Sequence, residues 1–303
     1  MNILVTGGAG FLGSHLVDKL LELKHNVVIV DNLSTGKKKF LSGGDFYKID
    51  IKSPMLSTIF KKYKFDLVFH LAAQKSVPKS IEDPKFDAQE NIIGSLNLLE
   101  NCREHNIKKF VFVSSGGAIY DDAKEYPTNE KAEAKPLTPY AISKFTIEKY
   151  INFYSKVHGL RYNILRPANI FGPRQDPYGE AGVIAIFISN LLGKKKCYIN
   201  GAGKQTRDFV YVQDVVDSLI KGMKTTNQIY NISTEKDISI LKLYKKIEKI
   251  IGTEREFETK AQVKGEVKKS QLSYQKIKRE LKWKPKYNLD QGIQETIEYF
   301  KNN

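Results

Sequence analysis

The feature that most constrains this chain is a glycine-rich segment close to its start, TGGAGFLGSH at residues 6–15. An apolar run precedes it and a helix-period pattern of apolar residues follows, which is the order of strand, loop and helix in dinucleotide sites. Gly7 or Gly8 lets the chain turn tightly. Gly10 lets backbone N–H groups approach a pyrophosphate, and Gly13 lets the helix pack closely on the strand. The helix start adds the positive end of its dipole.

An acidic residue follows at the distance that separates NAD from NADP sites. The next apolar run, VVIVD, ends on Asp31. A carboxylate there accepts hydrogen bonds from the ribose hydroxyls of NAD and repels the 2′-phosphate of NADP. The sequence therefore predicts NAD as the cofactor.

Length and composition limit the class of protein. The chain has 303 residues, which is enough for one large domain or two modest ones. No apolar stretch approaches the length of a membrane span, and the first strand begins directly after Met1, which predicts no membrane span and no signal peptide. Two unpatterned cysteines, Cys102 and Cys197, predict a reduced, cytoplasmic protein without a disulfide framework. No cluster of His and Cys has metal-ligand spacing.

The net charge of +15 is large enough to raise the question of a polyanionic partner. Much of the excess lies between Lys260 and Lys286, where lysines outnumber acids. Basic RNA-binding motifs interleave aromatic residues, and this region has no such pattern. A solvated lysine-rich surface is therefore favoured over nucleic-acid binding.

Strand-like apolar runs alternate with helical patterns up to residue 166, which predicts a parallel sheet covered on both faces. Beyond that point Gly and Pro become frequent and the strand-like runs shorten. We predict an α/β fold: a doubly wound parallel (Rossmann) sheet with a smaller, partly discontinuous α/β substrate-binding C-terminal domain. The cofactor domain is predicted at 1–168 with a return segment at about 205–232, and the substrate domain at 169–204 and 233–303.

Tyr140 and Lys144 form a YxxxK pair in a predicted helix that Thr138 and Pro139 open. Spacing of four places both side chains on one face. A phenolate base at neutral pH needs a drop in pKa of roughly 3 units, or ~4 kcal/mol. One cation at about 4 Å, at an effective dielectric constant of ~20, supplies ~4 kcal/mol. Lys144, helped by a positive nicotinamide, is therefore predicted to be sufficient.

With these residues, the chain resembles the extended short-chain dehydrogenase/reductase family, and most closely its UDP-glucose (UDP-galactose) 4-epimerase branch. The matching stretches are TGGAGFLGSH, DNLSTG, HLAAQKSV, NIIGSLNLL, SSGGAIY, the YxxxK pair, RPANIFGPRQDP, QTRDFVYVQD and LKWKP, which together span nearly the whole chain. The resemblance implies an NAD-dependent UDP-sugar 4-epimerase that oxidises C4 transiently, rotates the 4-keto intermediate and returns the hydride. It also implies a homodimer through helices at 84–104 and 139–157.

The resemblance further implies the members of the site. Catalytic roles fall to Tyr140, Lys144 and Ser115. Cofactor binding falls to Gly7, Gly10, Phe11, Leu12, Gly13, Asp31, Asn32, Ser34, Gly36, Asp50, Ile51, Leu71, Ala72, Ala73, Lys75, Asn91, Ser114, Tyr140, Lys144 and Pro167. Substrate binding falls to Lys75, Ser115, Gly116, Tyr140, Asn169, Val183, Asn200, Arg207, Lys264 and Ser270.

The chain departs from the family where catalysis is expected. Gly116 occupies the position at which these epimerases usually carry Ser or Thr. Either the loop turns Ser115 inward, or a water replaces the hydroxyl, or activity is weak. Dehydratase relatives have an Asp-Glu pair where this chain has Gly117 and Ala118, which argues against dehydration. The resemblance places Ser270 at the position that limits bulk at sugar C2, so a small residue there implies space for an N-acetyl group and acceptance of UDP-GlcNAc (and UDP-GalNAc) beside UDP-glucose. It also places Lys264 near the position of a family arginine that binds diphosphate.

Two alternatives stay open at this point. One is another modifier of nucleotide sugars on the same scaffold: a dehydratase, a decarboxylase or a reductase. The other is a basic, non-catalytic NAD-binding protein that has moved to nucleic acid, which the net charge and Gly116 favour and the intact Tyr140 and Lys144 oppose.

Overall fold

The computed structural model describes residues 1–121, 123–179, 182–261 and 267–303. These residues form two compact units. The first unit consists of Met1–Ser115, Thr138–Arg166 and Val216–Tyr230, and the second of Gly116–Leu137, Pro167–Val215 and Asn231–Asn303. The sequence-based division differs from this one, because it left 116–137 in the first domain and began the return segment at 205.

A seven-stranded sheet is the basis of the first unit. From one edge to the other it consists of residues 228–232 (β10), 161–167 (β6), 109–113 (β5), 67–70 (β4), 2–6 (β1), 26–31 (β2) and 45–48 (β3). Pairing is parallel from β6 through β3. The central strand carries Ile3, Leu4 and Val5, which are all fully buried, as expected for a sheet covered on both faces. This confirms the predicted doubly wound sheet. The strands are β1 (Asn2–Thr6), β2 (Asn26–Asp31), β3 (Asp45–Lys48), β4 (Leu67–His70), β5 (Lys109–Val113), β6 (Arg161–Pro167) and β10 (Gln228–Ile232).

Crossover helices connect these strands: α1 (Phe11–Glu22), α2 (Leu56–Lys62), α3 (Val77–Glu82), α4 (Pro84–Ala88), α5 (Gly94–Glu104) and α7 (Pro139–His158). The sequence predicts one helix over 84–104. The structure is helical throughout this range and has a π-helical turn, Gln89–Ile93, between α4 and α5. The long helix α7 begins as predicted, because the Thr138 hydroxyl accepts the Ala141 N–H at 3.4 Å and Pro139 follows the cap. It ends at Gly159, whose φ of 71° is left-handed.

The second unit is organised around β9 (Thr206–Tyr211). This strand pairs in parallel with β7 (Asn169–Phe171) and β13 (Lys269–Ser270), and antiparallel with β11 (Asp237–Ser239). A separate parallel pair joins β8 (Cys197–Asn200) to β12 (Phe257–Lys260). The remaining helices are α6 (Gly116–Ile119), α8 (Val183–Leu192), α9 (Val212–Gly222), α10 (Ile240–Ile251), α11 (Gln275–Leu281) and α12 (Leu289–Asn302). In the part of the chain that the structure describes, no helix is long and apolar enough to cross a membrane.

Candidate functional site

The glycine loop lies directly against the segment that follows β4. A Cβ added at Gly7, where φ is +70°, would lie 2.6 Å from the Ala72 backbone nitrogen. A Cβ at Gly13 would lie 2.1 Å from the Gly7 carbonyl oxygen, far inside van der Waals contact. Glycine is therefore required at both positions, and the loop, the helix and the Leu71–Ala73 segment can approach each other only because these side chains are missing.

The start of α1 suits an anionic ligand. Gly10 precedes the helix and has no side chain to cap it, so the backbone N–H groups of Phe11 and Leu12 are presented by the first turn. The positive end of the helix dipole lies at the same place. These features fit the pyrophosphate of a dinucleotide.

Asp31 joins two loops at the end of β2. Its Oδ2 accepts the Ala9 N–H at 3.0 Å, and its Oδ1 accepts the Leu33 N–H at 2.8 Å. Burial raises the pKa of this carboxyl, and the two backbone hydrogen bonds oppose that shift. A Cβ at Gly36 would lie 2.8 Å from Asp31 Oδ1, so glycine lets the second loop close over the carboxylate. This arrangement is compatible with the ribose binding predicted for Asp31 and with the cofactor binding predicted for Gly36.

The other residues predicted on the adenosine side form one cluster. Asn32 donates from Nδ2 to Asp50 Oδ2 at 2.9 Å and accepts the Ser34 N–H at 2.9 Å. Ile51 is buried beside them and packs against Gly94, where a Cβ would lie 2.7 Å from its Cδ1. Loop residues from the ends of β2 and β3 are thus held in register.

A buried polar chain supports the segment after β4. The Ser95 hydroxyl donates to the Asn91 carbonyl at 2.5 Å, so it must accept from His70 Nε2 at 2.8 Å. His70 Nδ1 is then an acceptor, and the Thr6 hydroxyl donates to it at 2.8 Å. Burial, with a smaller contribution from the charge of Lys144, lowers the pKa of His70 to about 3. His70 is therefore a neutral structural residue, and Lys75, five positions on, is exposed.

Asn91 is fully engaged within the protein. Its Oδ1 accepts the Gln74 N–H at 2.9 Å, and its Nδ2 donates to the Gln74 carbonyl at 3.1 Å and to Asp87 Oδ1 at 3.0 Å. Both amide hydrogens are used, so the side chain holds the 71–76 segment in place. Sequence reasoning included Asn91 among the cofactor-binding residues but missed Gln74 and Asp87.

Ser115 lies close enough to Tyr140 to lower the pKa of its phenol, which favours the inward-turned loop among the alternatives that Gly116 leaves open. Strand β5 ends at Val113, so the alternation of side chains stops two residues before Ser115 and the loop turns its hydroxyl toward Tyr140. Gly116 itself is buried at the start of α6. Burial raises the pKa of Tyr140 to about 12, the Ser115 hydrogen bond opposes this, and the charge of Asp87 adds to it.

Lys144 is 4% exposed and lies one turn after Tyr140 on α7. Its Nζ donates to the Val113 carbonyl at 3.0 Å and lies 4.8 Å from the centre of the Phe112 ring. Burial lowers its pKa to about 8, while the charges of Asp87 and Glu148 raise it. Burial, which the charge argument made from the sequence did not include, raises the pKa of Tyr140 and lowers that of Lys144.

Glu148 continues the same face of α7 and anchors two neighbouring strands. It accepts from the Ser114 hydroxyl at 2.6 Å and from Arg166 Nε at 2.9 Å, and Arg166 Nη2 makes a second bond. The hydroxyl hydrogen of Ser114, a predicted cofactor residue, is therefore donated to Glu148. Pro167, another predicted cofactor residue, follows Arg166 at the end of β6. Sequence reasoning missed Glu148, although its spacing of four from Lys144 was a usable signal.

In the second unit, three predicted substrate residues lie on neighbouring strands. Ser270 on β13 is the register partner of Arg207 on β9, and Asn169 lies on β7, which pairs with β9 further along that strand. A Cβ added at Gly117 would lie 3.4 Å from Asn169 Oδ1 and 3.8 Å from the Ser270 hydroxyl. The two polar side chains thus converge on Gly117, and Arg207, whose Nη1 donates to the Thr206 carbonyl at 2.9 Å, is partly exposed.

Several buried polar atoms of this unit make no hydrogen bond with the described residues: Asn169 Oδ1, Gln175 Oε1 and Thr206 Oγ1. A buried acceptor without a partner costs about 1–3 kcal/mol, so native proteins retain few of them. Two of these atoms, Asn169 Oδ1 and Thr206 Oγ1, belong to β7 and β9.

The remaining predicted substrate residues are more dispersed. Val183 is the first residue of α8, directly after Gly182, whose φ is +107°. Asn200 is the last residue of β8, and its carbonyl accepts from Gln205 Nε2 at 3.3 Å. Lys264 lies outside the described residues.

Known proteins are similar to this chain over most of its length. The chain matches the model of the NAD dependent epimerase/dehydratase family over residues 3–233. It belongs to this family. The family is NAD dependent, which confirms the cofactor predicted from the sequence.

Full-length relatives agree. The chain is 42% identical over 302 residues to a putative UDP-glucose 4-epimerase of Methanocaldococcus jannaschii, covering 99% of each chain. It is similar to the crystal structure of Thermotoga maritima UDP-glucose 4-epimerase with UDP-glucose, with 46% identity, a TM-score of 0.98, and 100% and 99% coverage. The Thermus thermophilus UDP-glucose 4-epimerase in complex with NAD is 36% identical, with a TM-score of 0.95 and 99% of each chain covered. The resemblance seen in the sequence is confirmed.

Proposed function

We infer that this protein is an NAD-dependent UDP-sugar 4-epimerase. The observation that carries the inference is the placement of Tyr140 and the buried Lys144 one helical turn apart on α7, with Ser115 close enough to lower the pKa of Tyr140. This gives the chain an acid–base group with a hydroxyl partner despite Gly116. The full-length likeness to UDP-glucose 4-epimerases supports the same reaction.

The residues present fit NAD. We assign the pyrophosphate to the first turn of α1 and the adenosine to the cluster after β2 and β3. When bound, NAD supplies the hydride acceptor and donor. The proposed holding residues are Gly7, Gly10, Phe11, Leu12, Gly13, Asp31, Asn32, Ser34, Gly36, Asp50, Ile51, Leu71, Ala72, Ala73 and Lys144, with Lys75, Ser114 and Pro167 at the nicotinamide side and Asn91 acting through the 71–76 segment.

The chain's own groups supply the proton chemistry. Tyr140 takes the proton of the sugar 4-hydroxyl during oxidation and gives it back after the 4-keto sugar has rotated. Ser115 donates to the phenolate oxygen and bridges it to the sugar oxygen. Lys144 supplies positive charge that favours the phenolate. A positioned base of this kind contributes about 10²–10⁴ in rate.

The second unit is proposed to hold the UDP-sugar. The Arg207 guanidinium is suited to bidentate binding of the diphosphate. Asn169 Oδ1 would gain from the sugar the hydrogen bond that it lacks among the described residues, and Ser270 would offer its hydroxyl, with Val183, Asn200 and Lys264 as further contacts. Relatives include dTDP-D-glucose 4,6-dehydratases at 32–37% identity. Gly117 and Ala118 lack the carboxylic acid that expulsion of water needs, so epimerisation is the better proposal.

We also propose a homodimer formed through α7. Four apolar side chains of this helix are exposed on one face: Ile142, Tyr150, Phe153 and Val157. A second copy packing the same stripe would remove it from water, as in a helix bundle. Phe153→Glu should convert the dimer to a monomer in light scattering, and an unchanged mass would contradict this interface.

A reducing, cytoplasmic location is proposed for the enzyme. Cys102 and Cys197 are both free and buried. Burial raises the pKa of both thiols, which keeps them protonated and unreactive at neutral pH.

The test is to incubate the purified protein with UDP-glucose and with UDP-galactose and to follow both sugars by NMR. Interconversion without net accumulation of NADH, together with NAD released on denaturation, is the expected result. Loss of water or carbon dioxide would assign the protein to the dehydratase or decarboxylase reactions instead.

A further inference from the structure

Asp87, on the short helix α4, is a fully buried carboxylate that no motif of the sequence singles out. Three side chains donate to it: Gln74 Nε2 at 2.8 Å, Asn91 Nδ2 at 3.0 Å and the Ser143 hydroxyl at 2.6 Å. All three donors are neutral. A carboxylate in such a place is costly unless a charge nearby balances it.

The nearby charge is on α7. Ser143, which binds Asp87 Oδ2, lies on α7 between Tyr140 and Lys144, directly before the lysine. The other acid close to Lys144 is Glu148, and Glu148 is already bound by Arg166 through two nitrogens. Through Ser143, Asp87 is therefore attached to the turn of α7 that carries Tyr140 and Lys144, and its charge raises the pKa of Lys144.

We propose that Asp87 is a positioning residue of the epimerase site. Its carboxylate fixes the catalytic turn of α7 through Ser143, ties that turn to the segment after β4 through Gln74 and Asn91, and keeps buried Lys144 in its ammonium form. This proposal rests on the proposed function, since the turn it fixes carries the acid–base pair.

Electrostatics supports the geometry. The groups that face the pair are Asp87 from α4, Glu148 from α7 itself with Arg166 from β6, and His70 from β4, which is neutral. Asp87 raises the pKa of Lys144 and also that of Tyr140. The carboxylate thus protects the ammonium and at the same time opposes early ionisation of the phenol.

The test is Asp87→Asn, which keeps the shape and removes the charge. The Ser143 hydroxyl can rotate to accept from the new amide, and Oδ1 can still accept from Gln74 and Asn91. We expect the titration midpoint of Lys144, followed by NMR of 13C-labelled lysine and assigned with Lys144→Arg, to fall by about one pH unit. Both limbs of the pH–rate profile should move to lower pH with it.

Ser143→Ala is the matched control, because it removes one hydrogen bond and leaves the charge. Its Lys144 midpoint should stay within about 0.3 units of the wild type, since charge rather than this bond sets the shift. Asp66→Asn, an exposed charge elsewhere in the first unit, should also leave it in place.

A Lys144 midpoint that Asp87→Asn leaves unchanged would overturn the proposal. A shift of the Lys144 midpoint by about one pH unit in Ser143→Ala would also overturn it, and this variant decides the role of Asp87 if Asp87→Asn does not fold. A wild-type protein that inverts no UDP-sugar would refute the proposed function instead, and the NMR midpoint would still decide the role of Asp87.

Discussion

The cofactor region of the first unit and the β7–β9–β13 region of the second differ in how their polar groups are satisfied. In the first, Asp31 binds two backbone N–H groups and Asp87 binds three side chains. In the second, Asn169 Oδ1 and Thr206 Oγ1 are buried and make no hydrogen bond with the described residues. We interpret the first region as pre-formed for a cofactor that stays and the second as completed by a substrate that exchanges.

Gly13→Ala is the change expected to have the largest effect, because it disrupts the close backbone packing of the region interpreted as pre-formed for the cofactor. Its Cβ would lie 2.1 Å from the Gly7 oxygen and 2.8 Å from Gly8 Cα, both rigid backbone atoms. We expect loss of retained NAD, loss of activity, and destabilisation by about 1–3 kcal/mol. NAD content after gel filtration and the melting temperature measure this.

Gly222→Ala is its control. A Cβ there would meet the Leu165 Cδ1 at 3.7 Å, an ordinary contact. If Gly13→Ala retained NAD as well as Gly222→Ala does, the first region would not be pre-formed by close backbone packing.

Arg207→Ala tests the substrate side. Loss of bidentate, charge-assisted binding to a diphosphate should raise KM for the UDP-sugar by about 100-fold. Retained NAD and the melting temperature should not change, because the second region gains its bonds from the substrate. Steady-state kinetics measures the effect, with Lys204→Ala, an exposed residue of the same unit, as the control. If Arg207→Ala also lost retained NAD to the same degree as it lost substrate affinity, the two regions would not differ as described.

Ser115→Ala removes the hydroxyl that replaces the family's usual one. The pKa of Tyr140 should rise further, because the Ser115 hydrogen bond lowers it. We expect kcat to fall roughly 10- to 100-fold with KM little changed. Ser115→Thr should retain most of the activity. Wild-type activity in Ser115→Ala would contradict a role for this hydroxyl and favour the alternative in which a bound water takes its place.

Ser270→Tyr should have the smallest and most selective effect. The Ser270 hydroxyl lies near Gly117, and a bulky side chain there would fill the space proposed for an N-acetyl group. Activity on UDP-GlcNAc should fall about tenfold relative to that on UDP-glucose. Competition between the two substrates measures the ratio, and equal losses would refute the selectivity.

Much of the fold follows from local pattern. Continuous apolar strands and the glycine loop predict the parallel sheet, and the spacing of Tyr140 and Lys144 predicts their shared face. The π-helical turn at 89–93 could not be predicted, because one added residue hardly changes a helical period. The assignment of residues 116–137 to the second unit could not be predicted either, because it depends on contacts between residues that are distant in sequence.

The site shows the same limit. Ser115 turns inward because β5 ends at Val113, and a strand end is among the least predictable features of a sequence. Asp87 is indistinguishable in sequence from a solvated helix residue until its burial is known. Burial raises the pKa of Tyr140, and the charge argument made from the sequence includes no contribution from burial.

The most direct measurement of the central claim is the rate of inversion at sugar C4 by Tyr140→Phe, with NAD content and UDP-sugar binding determined on the same preparation. The account predicts that kcat falls by about 10²–10⁴ while both ligands stay bound. Inversion at the wild-type rate by the NAD-loaded variant would contradict it.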